Sequence, residues 1–453
     1  MSDRATTSLA PDEAQPSRLG RKTRVALTLF DQGVVSIATY ATAVLMGRAS
    51  QSGVGLYMLV FTLWIFATEL HNSLVSTPQM VKLPGMRKAR KAEFNGSLLL
   101  HQLALSGMLT LVMLVGALVL FLLARTTADS AKLNTYGFVS LMGALSVAPV
   151  ALRNFARNFC FTIRDVPSAV ILDVGVSVMQ VLGVALAFFT NELGHHWYLA
   201  VLIVSVSNLF SALLWLSSVR GQFSPRMKRA VVDFRRNWGI SRFIFLSSMV
   251  WTAGTYLYPW LISALKGDRS AGIWAVCFTL ANLGNPIITA IQNMMGPAIS
   301  HAFVGLSMGE FRRYVFKCTI LFVTVGGAGA VMLALLSEPL IVLFNGKDYA
   351  GYGKVSALLA AMMLLQGLSF PTSRGLFSLD RAKLDMYANL GPIAVMAVLG
   401  VFLIGRYDVM GAAICLVLAQ IIGSISRILF FLHASAEQCQ AVPTLADKSG
   451  ATA

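Results

Sequence analysis

The sequence predicts an all-α polytopic membrane protein of about twelve transmembrane helices, and three observations carry that expectation. First, 56% of the 453 residues are hydrophobic and 12% are charged, with a mean hydropathy of +0.69, which is too apolar for a soluble globular domain. Second, the apolar residues fall in about twelve stretches, each near the roughly 20 residues that a self-hydrogen-bonded helix needs to cross a bilayer core. These runs are continuous, so the ten-residue alternation of an outer-membrane barrel is not the pattern. Third, GLYMLVFTL at Gly55 to Leu63 returns 217 positions later as GIWAVCFTL at Gly272 to Leu280. The match divides the spans into two parallel six-helix repeats with a cleft between them.

The expected spans are 25–47, 54–80, 97–124, 134–157, 166–189 and 197–219, then 240–265, 271–299, 315–336, 353–379, 384–405 and 409–433. Basic residues punctuate them in alternation. Five precede the first span and only Arg48 follows it; five (Lys82 to Lys91) follow the second, and Arg125 and Lys132 follow the third. Arg153 to Arg164 close the fourth, no basic residue separates the fifth from the sixth, and seven (Arg220 to Arg242) lead into the seventh. Lys266 and Arg269 follow the seventh, Arg312 to Lys317 the eighth, Lys347 and Lys354 the ninth, Arg374 to Lys383 the tenth, and Arg406 the eleventh; Arg427 and Lys448 end the series. Of the 36 basic residues, 28 thus share the side of the amino terminus. Lysine and arginine resist translocation, so both termini are expected in the cytoplasm.

The expected organisation is a cytoplasmic disordered tail (1–24), an N-terminal lobe (25–219), a basic linker (220–239), a C-terminal lobe (240–433) and a second tail (434–453). The net charge of +16 is explained by this one-sided distribution rather than by a nucleic-acid partner. The clusters Lys82 to Lys91 and Pro225 to Trp238 set orientation in the simpler reading. In the sharper one they hold anionic lipid headgroups, the second as an interfacial helix. Five cysteines without CxxC spacing and the adjacent His195 and His196 imply neither a disulfide framework nor a metal site. No cofactor is implied.

Polar residues on single helix faces mark the candidate cavity. In the eighth span Thr279, Asn282, Asn285, Thr289, Gln292 and Gly296 recur every three or four positions, with Asn293 beside them and Pro286 and Pro297 interrupting the helix. Such a stripe costs several kcal/mol against lipid, so it faces a neighbouring helix or water. The second span carries Thr62, Glu69, Asn72, Ser76 and Gln79; under the 217-residue offset Thr62 meets Thr279, Asn72 meets Thr289 and Ser76 meets Asn293. The seventh supplies Ser248, Thr252 and Thr255 among Trp251, Tyr256, Tyr258 and Trp260, rings able to stack on sugars or to form an interfacial belt.

Three acids lie within spans: Asp31, Glu69 and Asp173. A carboxylate in a membrane can exchange a proton between two facing states. Glu69, near mid-helix on the stripe, is the first candidate for ion coupling; Asp31 and Asp173 lie nearer the inner surface, where Arg153 and Arg157 are available as partners.

The first two spans read LFDQGVVSIATYATAVLMGRASQSGVGLYMLVFTL. Asp31-Gln32 near the helix start, Gly47-Arg48, Gly55 and Tyr57, and Pro78 closing the second span are similar to the pattern of the multidrug/oligosaccharidyl-lipid/polysaccharide (MOP) flippase superfamily, in its bacterial polysaccharide and O-antigen flippase branch. The resemblance implies V-shaped six-helix lobes, as in multidrug and toxic compound extrusion (MATE) transporters and lipid II flippases. It implies transport of an undecaprenyl-diphosphate-linked oligosaccharide, often against H+ or Na+, beside glycosyltransferases and a polysaccharide polymerase. Cations hold the diphosphate in related lipid II flippases; here Arg48 and Arg242 are the candidates, with Arg153, Arg157 and Arg374 near the inner surface for loading or snorkelling. A MATE-type drug antiporter is the main alternative, although the aspartate of that family falls where this chain has Ala41 and Thr42. A membrane glycosyltransferase or polymerase and a non-transporting scaffold are the others.

Overall fold

The structure is a computed structural model that describes residues 21–83 and 86–441, without the side chains of a few residues inside the helices. Among the described residues nine helical stretches are long and apolar enough to cross a membrane. Two further crossings are broken helices, and one of the nine merges two spans, so the described residues hold twelve. They are α1 (Arg21–Ala49), α2 (Gln51–Lys82), α3 (Lys88–Ala124), α4 (Ser130–Thr162), α5 (Val166–Phe189) and α6 (Tyr198–Val219). The second set is α7 (Met227–Tyr256 and Tyr258–Lys266), α8 (Asp268–Ala281 and Asn285–Gly305), α9 (Met308–Asn345), α10 (Gly353–Ser378), α11 (382–407) and α12 (409–441).

The breaks follow from local chemistry. Pro259 and Pro286 have no N–H to give the carbonyl one turn back, so α7 changes course at Leu257 and α8 passes through a 3-10 turn at Asn282–Gly284. A π turn at Asn72–Ser76 precedes Pro78 in α2 and redirects the helix within the membrane. Asp408, at φ 52° and ψ −133°, separates α11 from α12.

Several helices run beyond the expected spans, among them α3, which starts at Lys88, and α9, which covers Met308–Asn345. The linker is helical from Met227 and continuous with the seventh span, because no proline or glycine pair interrupts 227–256. The last helix runs to Ala441, eight residues beyond 433. The remainder of both expected tails lies outside the described residues.

In the first half α3 packs on α4, α1 on α5, and α6 on α4 and α5; in the second α9 packs on α10, α10 on α12, and α11 on α7 and α12. The halves meet chiefly where α2 crosses the first part of α8. The apolar core is continuous there, joining Met46, Leu59 and Trp64 to Tyr258, Trp274 and Ile341. Towards the other end it splits into a cluster around Phe155, Phe159 and Trp215 and another around Phe311, Phe322 and Phe431. Two bundles sharing packing at one end and holding separate cores at the other make a V.

The joined end is the one with few basic residues. There Arg48, at the end of α1, donates from Nε to the carbonyl of Phe344 (2.5 Å) and from Nη2 to that of Leu343 (2.7 Å), the last-turn carbonyls of α9 that lack helical partners. Tyr349 donates to the Gly47 carbonyl at 3.0 Å, and Arg269 Nε to Gln51 Oε1 at 2.6 Å.

Candidate substrate cavity and ion-pair networks

A cavity of about 460 Å³ opens within the second bundle. Its walls include Trp251, Thr255 and Tyr256 from α7 and Asn282, Asn285 and Gln292 from α8. The α8 break explains part of this convergence. Asn282 Nδ2 caps the Phe278 carbonyl at 2.8 Å, and Asn285 Nδ2 donates to Asn282 Oδ1 at 3.0 Å, so the two amides lie side by side on the wall. Thr255 is buried, and its hydroxyl meets no partner among the described residues.

Further lining comes from residues that the sequence did not single out for the cavity, among them Gln366, Ser369 and Phe370 in α10, Asp385 and Asn389 in α11, and Gln420 and Arg427 in α12. Arg427 and Asp385 form an ion pair at 3.0 Å, both side chains 7% exposed, and Arg427 Nη2 also donates to Asn389 Oδ1. A buried pair of this kind is sustained only when further hydrogen bonds satisfy it, which Asn389 does.

Arg374 lies on the same wall and also borders a second cavity of about 550 Å³, where Gln292, Gly296 and Ser300 continue the α8 face. Its guanidinium stacks on Phe370 (5.0 Å) and Phe377 (5.9 Å). Among the described residues no carboxylate pairs with it. The first cavity therefore carries Arg374 and Arg427 against Asp385 alone.

The first bundle holds a different arrangement. Arg157 bridges Asp31 (2.7 Å) and Asp173 (2.6 Å), while Arg153 reaches Asp173 at 2.6 Å. Both aspartates are fully buried. Two cations and two anions from α1, α4 and α5 thus cancel inside the bundle. Arg157 and Arg374 are themselves 217 positions apart, so one position of the duplicated helix is neutralised in one bundle and left facing a cavity in the other.

The α2 candidates divide. Asn72 Oδ1 accepts from Asn154 (3.0 Å) and Asn158 (2.9 Å), and Ser76 Oγ lies 3.0 Å from Asn158 Nδ2. Both turn into the first bundle against α4, whereas Thr62 of the same stripe accepts from Trp260 Nε1 of α7 at 2.7 Å. Glu69, half-buried, faces Asn72 along its own helix and Tyr256 across the gap between bundles. Arg48 sits at the joined end of the V, away from this cavity. Arg242 is exposed and stacks on neighbouring Phe243 at 4.7 Å, and it does not line either cavity. Asn293 lies outside the described side chains.

No known protein-family profile matches the chain. A capsular polysaccharide biosynthesis protein, CapF of Staphylococcus aureus, is 18% identical over 307 residues, covering 65% of this chain and 77% of that protein. Among solved structures, an inward-facing multidrug resistance MATE transporter of the MOP superfamily superimposes with a TM-score of 0.71 at 13% identity, covering 92% of this chain and 99% of the other. A MOP superfamily transporter from Pyrococcus furiosus gives 0.60 at 14% identity, covering 92% and 96%. The chain is a multi-pass membrane protein with the fold of the MOP superfamily transporters.

Proposed function

We propose that the chain is an alternating-access flippase that moves an undecaprenyl-diphosphate-linked oligosaccharide from the cytoplasmic to the outer leaflet of a bacterial inner membrane. The lobes 25–219 and 240–433 rock about the joined end of the V, with 220–239 linking them and both termini cytoplasmic. On this reading the joined end is the outer gate and the cavity is open to the cytoplasm.

One observation carries the substrate class: Arg374 presents a guanidinium without a carboxylate partner on a wall rich in amides and rings. A guanidinium fork suits a diphosphate. The amides of Asn282, Asn285, Gln292 and Gln366 with the rings of Trp251 and Tyr256 suit a sugar. The lipid tail stays in the bilayer while the headgroup crosses, and no bond is made or broken. Glu69, at the gap between the bundles, takes up and releases the coupling H+ or Na+. The resemblance to CapF supports surface polysaccharide biosynthesis, with glycosyltransferases upstream and a polymerase downstream.

The second reading is a cation-coupled multidrug exporter, favoured by the multidrug transporters that share the fold. The excess of arginine over aspartate in the cavity weighs against it, since a cationic drug would meet like charge. Deletion of the gene followed by mass spectrometry of inner-membrane polyprenyl-linked glycans separates the two. Accumulation of one intact lipid-linked repeat unit is the expected result; no accumulation with raised sensitivity to cationic drugs would transfer the assignment to the exporter.

A further inference from the structure

We propose that the two basic clusters, about 145 residues apart in sequence, build one site for the phosphate headgroup of an anionic phospholipid. The end of α2, the start of α3 and the first turns of α7 enclose a cavity of about 290 Å³ lined by Lys82, Arg87, Arg90, Asp233, Arg236 and Asn237, with Met86 and Phe94 as its apolar part.

The charges in this cavity do not cancel. Arg90 is taken by Asp233 at 3.0 Å. Lys82 Nζ donates to Asn237 Oδ1 at 2.6 Å and to the Arg236 carbonyl at 3.2 Å, neither of which removes its charge. Arg87 and Arg236 meet no carboxylate among the described residues. Asn237 is 2% exposed, and its Nδ2 donor meets no partner among the described residues. A buried donor left without an acceptor is costly, and a phosphate oxygen in this cavity would supply one. The amino terminus of the 37-residue α3 opens at the same point, with Arg87 as its cap residue and no side chain capping it. Helix amino termini favour anions.

The first turns of α7 show where that anion comes from. One face is buried against α3: Ala230, Asp233 and Asn237 are covered, His101 Nε2 lies 2.8 Å from the Ala230 carbonyl, and Arg226 pairs with Glu93 at 2.6 Å. The other face exposes Met227, Val231 and Trp238, flanked by Lys228, Arg229 and Arg235. An apolar stripe edged by basic residues lies in a lipid interface, so the phosphate arrives on a lipid.

Native mass spectrometry of the full-length protein, titrated with dioleoyl phosphatidylglycerol, dioleoyl phosphatidylcholine or inorganic phosphate, tests the site. The expected result is one phosphatidylglycerol retained in preference to phosphatidylcholine. Its affinity should fall about 30-fold in Arg87→Gln/Arg236→Gln and stay unchanged in Arg125→Gln, far along the same helix. Asn237→Asp, isosteric and beside Lys82, keeps the packing and should also weaken retention. Equal retention by the double variant or of phosphatidylcholine would overturn the site, and equal occupancy by inorganic phosphate would overturn its assignment to lipid. None of these outcomes depends on whether the chain transports a glycan.

Discussion

Gly55 and Gly272 occupy the crossing of α2 and α8, each pressed on the backbone of the other helix. A Cβ on Gly55 would stand 2.1 Å from the Asp268 carbonyl oxygen, and one on Gly272 would stand 1.8 Å from that of Gln51. Asp268 lies 217 positions after Gln51, as Gly272 does after Gly55, so the contact repeats itself under the duplication. The match that revealed the repeat in the sequence is also a joint at which the two bundles meet backbone to backbone.

Gly272→Ala should therefore push the helices apart at the joined end. Overpacking of this kind costs about 1–3 kcal/mol, while Gly254→Ala, whose nearest neighbours lie at 3.5 Å, should be nearly silent. Thermal unfolding in detergent measures the first effect. A cysteine placed at Ser52 should label faster in Gly272→Ala, and also in Arg48→Ala, which removes the cap on the Phe344 and Leu343 carbonyls. Unchanged labelling in both would remove this end from the gate.

The four-charge network in the first bundle should behave as a structural unit. Arg157→Met leaves Asp31 without its cation and Asp173 with only Arg153. Breaking a buried pair from one side costs about 3–5 kcal/mol, so this variant should melt far below the wild type. Asp31→Asn should cost less, because Arg157 keeps Asp173. The reverse order of melting temperatures would assign the network's stability to Asp31 instead.

The proposed coupling role falls to Glu69 because it lies near Tyr256 of the other bundle, whereas Asp31 and Asp173 are engaged with arginine. Glu69→Gln keeps its volume and its hydrogen-bonding reach to Asn72. It should fold and insert normally while transport in inverted vesicles loses its dependence on pH. A variant with the wild-type pH profile would exclude Glu69 from coupling.

The spans were legible because each is a long apolar run bounded by charges that alternate in number, and Pro286 and Pro78 marked places where helices bend, whereas the helix continues through Pro297 without a break. The stripe on α8 was legible for a related reason: Asn282, Asn285 and Gln292 share one helix face and one cavity. Arg427 was hidden. It looked like a charge at a span's inner end because the last helix extends to Ala441, and its partner Asp385 lies 42 residues away on another helix. Gln366, Asn389 and Gln420 each come singly from a different helix, so no periodicity announces them. Their convergence is tertiary. The direction of Asn72 and Ser76 was hidden as well, because their partners Asn154 and Asn158 come from another helix, 82 and 86 residues beyond Asn72.

Arg374 gives the sharpest test of the substrate, because its counterpart Arg157 is a built-in control. Both are arginines at equivalent places in the repeat, but Arg157 is closed by two aspartates and Arg374 faces the cavity. Losing one guanidinium contact to a phosphate costs about 1.5–3 kcal/mol, or roughly 10- to 150-fold in affinity. Arg374→Ala should fold with an unchanged melting temperature and bind a polyprenyl-diphosphate glycan that much more weakly, with Arg374→Lys retaining part of the affinity as a point charge. Arg157→Ala should instead lose stability. Isothermal titration of each purified variant separates the effects, and wild-type affinity in Arg374→Ala would remove the diphosphate from this wall.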